Sequence, residues 1–246
     1  VAPVLGLPED IRACLFDLDG VLTQTAKVHQ AAWKRTFDGF LQGRDPSAAE
    51  FSGDDYNRYV DGKPRKDGVR DFLASRGITL PEGTDDDPAD AATVAGVSTR
   101  KNALVLAELD EHGVQVYEGS MRYLRAARAA GLATAVVTAS ANGESVIAVA
   151  GFADLIDARV DGLVAAAQGL RGKPAPDPFL AGAEALGMTP AQCVVFEDAL
   201  SGVEAGRAGS FGFVVGVDRV GQAEALREHG ADVVVADLDE LLEGDK

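Results

Sequence analysis

Hydrophobic and polar positions fall into two regimes along this chain. A lead-in at 1–12 carries two prolines. An apolar run of strand length follows at 13–16 and stops at Asp17-Leu18-Asp19-Gly20. From Thr25 to Leu41 the apolar spacing turns helical. Val28, Ala31, Ala32, Phe37 and Leu41 form a stripe, and His29 and Trp33 lie four apart on one face. Shorter helical patterns are expected at 56–62, 68–75 and 99–112, with Lys63-Pro64-Arg65-Lys66 joining the first two. The stretch 79–96, rich in Pro, Gly and Asp, reads as a long surface loop.

After about residue 117 the pattern becomes alternation of strand and helix. Strands are expected at 133–138, 155–160, 193–196, 213–217 and 232–235. Helices are expected at 120–130, 143–150, 178–186, 202–208 and 222–228. Such alternation predicts a parallel sheet covered on both faces. The expected architecture is α/β: a three-layer, Rossmann-like core (1–24 and 118–246) with an inserted all-helical cap (25–117). The insertion follows the Asp-x-Asp edge, the position of a lid.

Composition narrows the partners. The 246 residues are 46% hydrophobic, enough for a substantial core. The 23 Lys and Arg stand against 39 Asp and Glu, for a formal charge of −16. That balance argues against nucleic acid and against anionic membranes as partners. An anionic substrate would then need a local positive pocket. Cys14 and Cys193 each sit inside an apolar run and read as small buried hydrophobes. With no signal segment and no apolar run long enough to span a bilayer, the expectation is a soluble, cytoplasmic, monomeric protein.

The candidate chemistry lies at strand ends, which converge on one edge of a parallel sheet. Asp17 and Asp19 alternate with Leu18, so they share a direction. Two carboxylates that close call for a cation, an acid/base pair, or both. Thr138 and Ser140 follow a second strand, and Glu197 and Asp198 follow a third. Lys173 stands in Gly-Lys-Pro-Ala-Pro-Asp. The set fits phosphoryl transfer. Asp17 can attack phosphorus and become an aspartyl-phosphate. Asp17 and Asp198 can hold Mg²⁺. Lys173 and Thr138 can bind the transferring oxygens, and Asp19 can act as acid and base.

Four motifs in order carry a resemblance: Phe-Asp-Leu-Asp-Gly-Val-Leu-Thr, Val-Thr-Ala-Ser, Gly-Lys-Pro-Ala-Pro-Asp and Phe-Glu-Asp-Ala. They resemble the haloacid dehalogenase-like superfamily. Thr25-Ala26-x-x-His29-x-x-x-Trp33-Lys34, Gly62-x-x-Arg65-x-Asp67 and Arg100-Lys101-Asn102 look like its β-phosphoglucomutase-like subfamily.

The resemblance implies Asp17 as nucleophile and Asp19 as acid/base. It implies a metal site of Asp17, the Asp19 carbonyl and Asp198 as the third protein ligand, with Glu197 beside it in the same metal set. Thr138, the Ala139 backbone and Lys173 would hold the transferring phosphate. Arg65 would clasp the other phosphate. His29, Trp33 and Lys101 would line the sugar site, Ser140 and Asn142 would contact the distal phosphate, and Thr25 would sit at the hinge. The implied reaction is Mg²⁺-dependent conversion of β-glucose 1-phosphate to glucose 6-phosphate. Hydrolysis of a sugar phosphate is the alternative. A receiver-like signalling module and a dehalogenase fit less well. Gln24 where an acid is common, Thr138 in place of serine, and the 81–97 insertion depart from the subfamily pattern.

Overall fold

The computed structural model describes residues 5–242. The expected lead-in and core segments extend at 1–4 and 243–246 beyond the described residues. The backbone divides into two compact units: Val1–Gln24 with Val114–Lys246, and Thr25–Gly113. The junction falls at 113 rather than the expected 117 for a local reason. Gln24 N donates to Gln115 O, and Tyr117 N donates to Leu22 O. Residues 115–117 are thereby tied to the stretch that follows Asp19.

The first unit holds a parallel sheet of strands β1 (Ala13–Phe16), β2 (Ala133–Val137), β3 (Ala158–Val160), β4 (Cys193–Glu197), β5 (Phe213–Val217) and β6 (Val233–Val235). Their order is β3-β2-β1-β4-β5-β6. The chain runs outward from β1 in one direction, returns, and runs outward from β4 in the other. The carboxyl ends of β1 and β4 therefore flank the switch point where ligands bind in open α/β sheets.

Side chains alternate across the sheet. Ala13 and Leu15 of β1 join Val195 of β4 in one buried cluster. On the opposite face Phe16 stacks on Phe196, ring centroids 4.6 Å apart, and Tyr123 meets Phe196 edge-on at 5.2 Å. Each large apolar side chain taken out of water contributes roughly 2 kcal/mol. Both faces are thus covered by helices.

In chain order the helices are α1 (Thr25–Arg44), α2 (Gly53–Asp55), α3 (Arg65–Ser75), α4 (Val94–His112), α5 (Glu118–Ala129), α6 (Gly143–Ala150), α7 (Gly162–Gln168), α8 (Asp177–Ala185), α9 (Leu200–Ala208) and α10 (Ala223–Glu228). Tyr123 of α5 covers the Phe16 face; Phe179 of α8 and Val203 of α9 cover the Leu15 face. The third expected strand is shorter than 155–160, because a 3₁₀ turn occupies Ala153–Leu155. Helix α7 had no counterpart in the sequence pattern. Its start is fixed by the Asp161 carboxylate, which accepts from Leu163 N and Val164 N at 3.0 and 2.9 Å.

The second unit is helical among its described residues, built from α1 to α4 with a π-helical turn at Tyr56–Val60. Its core centres on aromatics: Trp33 stacks on Phe37 at 4.9 Å, and Phe37 packs on Phe72 at 4.2 Å. Helix α3 begins at Arg65 rather than at 68, with Pro64 as the preceding residue. Only part of the expected 79–96 loop is loop. Thr93 Oγ1 accepts from Gly96 N at 2.9 Å and starts α4 at Val94. Val94, Ala95 and Val97 are buried. The remaining acidic stretch is pinned: Asp85 pairs with Lys66 at 2.6 Å, Asp87 accepts from Thr93 at 2.6 Å, and Glu82 pairs with Arg70 at 2.7 Å. No helix of the described residues is long and apolar enough to cross a membrane.

Candidate active site

Strand β1 delivers Asp17 to the carboxyl edge of the sheet. Its backbone N–H still belongs to the ladder, donating to Phe196 O at 2.9 Å. Beyond it the chain folds back tightly. Leu22 N and Thr23 N donate to Leu18 O at 3.0 Å, and Thr23 Oγ1 donates to the same oxygen at 3.1 Å. Gly20 takes φ +93°, and a Cβ there would come within 1.9 Å of Asp198 Oδ2. Glycine is required both by the backbone conformation and by the nearness of that carboxylate. The Asp-x-Asp-Gly sequence therefore lets two acidic segments from β1 and β4 approach each other.

Lys173 sits at the centre of the buried charges. Its ammonium donates to Asp17 Oδ1 at 2.7 Å, to Val137 O at 3.2 Å and, more closely, to Glu197 Oε1. Three donors thus meet three acceptors. Burial would lower the Lys173 pKa, but the two carboxylates outweigh it and hold the group charged. Burial pushes Asp17 up to about 6, opposed by Lys173 and reinforced by Asp19. Burial and the charge of Asp17 push Glu197 up to about 8, against the pull of Lys173.

The surplus of buried negative charge suits a hard cation. One oxygen each from Asp17, Glu197 and Asp198 lie within 4.8 Å of one another. An all-carboxylate set of this kind can hold a divalent metal ion. Within the set Glu197 is the most committed. Its Oε1 receives Lys173, its Oε2 receives Ala199 N at 3.2 Å, and Gly202 leaves it room, since a Cβ there would lie 1.9 Å from its Cδ.

The loop after β2 faces the same edge. Thr138 Oγ1 donates to Asp19 Oδ2 at 3.2 Å and accepts from Ser140 N at 3.1 Å. Ser140 Oγ accepts in turn from Asn142 N at 3.2 Å. Ser140 O accepts from Gly162 N, which ties the Ala139–Asn142 segment to the start of α7. Asp17, Asp19, Thr138, Lys173, Glu197 and Asp198 thus share one edge of the first unit.

The remaining predicted residues lie in the second unit. Lys101 Nζ is 2.5 Å from His29 Nδ1 and 5.0 Å from the Trp33 ring centroid, so α1 and α4 bring these three together. Trp33 serves the apolar core as well. Thr25 is buried as the first residue of α1. Arg65 opens α3 half-buried. No hydrogen bond or ion pair engages it among the described residues. Burial lowers its pKa and Asp85 opposes the shift at longer range.

Two residues at this edge escaped the sequence reading, Arg219 and Gln222, in the loop after β5. Arg219 donates to the carbonyls of Gly20 and Val21 at 2.8 and 3.3 Å. Gln222 Nε2 donates to Asp198 O at 3.0 Å. The available signal was position, just past a strand end at the carboxyl edge.

With this geometry in hand, the chain matches the haloacid dehalogenase-like hydrolase family model over residues 11–209. It is 55% identical to a β-phosphoglucomutase of Mycobacterium bovis across 97% of this chain and 94% of that protein. It is 29% identical to a validoxylamine A 7'-phosphate phosphatase of Streptomyces hygroscopicus across 94% and 95%. Among solved structures, a β-phosphoglucomutase from Clostridium difficile superimposes with a TM-score of 0.76 at 24% identity, across 94% of this chain and 93% of that one.

Proposed function

This chain belongs to the haloacid dehalogenase-like hydrolase family, and we propose that within it the protein is a Mg²⁺-dependent mutase of β-glucose 1-phosphate. The observation that carries the phosphoryl-transfer reading is the buried Lys173 ammonium 2.7 Å from Asp17 Oδ1 at the sheet's switch point. The 55% identity to a β-phosphoglucomutase favours the mutase reaction over hydrolysis.

In the proposed cycle Asp17 carries the phosphoryl group. Asp19 takes the proton of the sugar's 6-hydroxyl as that oxygen bonds to phosphorus and the Asp17–phosphorus bond breaks. The bisphosphate turns over. Asp17 then attacks the 1-phosphate, and Asp19 returns the proton to the departing 1-oxygen, leaving glucose 6-phosphate and a phosphorylated enzyme. A Mg²⁺ ion held by Asp17, Asp198 and the Asp19 carbonyl would offset negative charge on the phosphoryl oxygens. Lys173 and Thr138 would hold those oxygens, with Glu197 anchoring the lysine beside the metal site. The Ala139 backbone would assist them, and Ser140 and Asn142 would receive the distal phosphate.

In the second unit, Arg65 would take the phosphate that is not being transferred. Its guanidinium is partly desolvated and carries no carboxylate partner among the described residues, which suits an incoming anion. His29, Trp33 and Lys101 would meet the sugar, with Thr25 at the hinge. The proposal includes a monomer acting in the cytoplasm on a small sugar phosphate.

The deciding assay supplies β-glucose 1-phosphate, a trace of the 1,6-bisphosphate and Mg²⁺, and compares glucose 6-phosphate with free phosphate. Glucose 6-phosphate in large excess supports the mutase. Free phosphate as the main product makes the protein a sugar-phosphate phosphatase.

A further inference from the structure

The Arg219 side chain reaches across the carboxyl edge of the first unit to backbone oxygens 198 and 199 positions earlier. Nε donates to Gly20 O at 2.8 Å. Nη1 donates to Ala236 O at 2.7 Å. Nη2 lies within 3.3 Å of Val21 O, Ser120 Oγ and Asp237 Oδ1. The guanidinium plane is also backed by Tyr117, with Cζ 3.5 Å from the ring centroid. Such a fan of acceptors on one planar group suits guanidinium and not ammonium.

What it grips is the segment directly after Asp19. That loop is closed on its inner side by Thr23 and Leu18. Among the described residues, its outer carbonyls at Gly20 and Val21 accept from Arg219. The base of Arg219's own loop is rigid as well. Asp218 Oδ1 accepts from Val220 N, Gly221 N and Gln222 N at 3.2, 2.7 and 2.8 Å. The same loop sends Gln222 to Asp198 O. One turn after β5 therefore holds both acidic segments by their backbones.

We propose that Arg219 is a positioning residue for the proton-transfer step, setting where the Asp19 carboxyl stands by fixing the Gly20 and Val21 carbonyls. This rests on the phosphoryl-transfer reading above. A displacement of Asp19 by about 1 Å can cost about a hundredfold in rate. Attack by Asp17 on a phosphate with a good leaving group needs no proton from Asp19, so it is spared.

The test compares wild type with Arg219→Gln and Arg219→Lys by rapid quench. One rate is formation of phosphoenzyme from an aryl phosphate. The other is transfer from phosphoenzyme to β-glucose 1-phosphate. Melting temperatures are recorded alongside. For Arg219→Gln we expect transfer to fall by about tenfold or more while phosphoenzyme formation stays within about threefold. For Arg219→Lys we expect an intermediate loss confined to the same step. Equal losses in both steps, or no loss in either, overturn the proposal. If Arg219→Gln does not fold, the lysine variant decides by the same two rates. A wild-type chain that forms no phosphoenzyme overturns the functional reading and this inference with it. A wild type that turns over normally beside variants without the split overturns this inference alone.

Discussion

Lys173 Nζ lies 2.7 Å from Asp17 Oδ1, and both side chains are shut away from solvent. The pair is one arm of a buried bridge, since the same ammonium also meets Glu197. A buried cation with two carboxylate partners keeps its charge when one partner becomes an acyl phosphate. Asp17 can therefore carry a phosphoryl group without stranding the lysine.

Asp17→Asn should abolish turnover, by at least about a thousandfold, because the amide is no nucleophile toward phosphorus. The fold should survive, since Glu197 still pairs with Lys173 and one of several crowded carboxylates is gone. Steady-state kinetics and a metal-free thermal melt check this. Wild-type rates, or a collapse of the melting temperature, would contradict it.

Gly20→Ala should weaken metal binding more than it weakens the fold. The added Cβ would lie 1.9 Å from Asp198 Oδ2, and the residue would hold φ +93°. Relief requires Asp198 to move. The backbone conformation alone costs about 1–2 kcal/mol. Calorimetric titration with Mg²⁺ should show the affinity falling at least about tenfold. Unchanged affinity would mean that Asp198 does not ligate.

Arg65→Ala should separate two activities. Conversion of the sugar phosphate should drop about tenfold to a hundredfold, the scale of one lost charge-assisted contact to phosphate. Hydrolysis of a small aryl phosphate should stay within about threefold. A parallel fall in both would show that Arg65 supports the unit's structure instead.

Asp218 gives a pH-dependent contribution to stability. Burial alone would raise its pKa, but the N–H groups of Gln222, Val220 and Gly221 prevail and lower it. A carboxylate with a depressed folded pKa stabilises above its unfolded pKa, about 4, and loses that contribution as pH falls through the lower folded value. Asp218→Ala should therefore cost about 1 kcal/mol at pH 7 and less near pH 2. Chemical denaturation at both pH values measures the difference. An equal loss at both would rule out the carboxylate as its source.

How much was legible in the sequence depended on range. Asp17, Asp19, Thr138, Glu197 and Asp198 announced themselves because each ends or follows an apolar strand-length run, and parallel topology carries such ends to one edge, whereas Lys173, in the loop between α7 and α8, was marked by its Gly-Lys-Pro-Ala-Pro-Asp motif. His29, Trp33 and Lys101 do meet, although periodicity alone related only the first two. The start of α4 was hidden because its buried Val94 and Ala95 follow residues typical of loops, and the Thr93 cap is a single contact. Helix α7, short and alanine-rich, has too few large apolar positions to show a period, and its Asp161 cap reads as an ordinary loop acid. Arg219 was invisible for another reason. Nothing local marks an arginine whose acceptors lie nearly the whole chain away.

The place of β1 in the middle of the sheet has a consequence for biosynthesis. Ala13–Phe16 is made before both of its neighbours, residues 133–136 on one side and 193–196 on the other. A nascent chain on the ribosome must keep this sticky segment from aggregating until both late partners emerge. Translation stalled before Cys193 would leave one flank of that strand bare, a substrate for chaperones and proteases rather than a half-working enzyme.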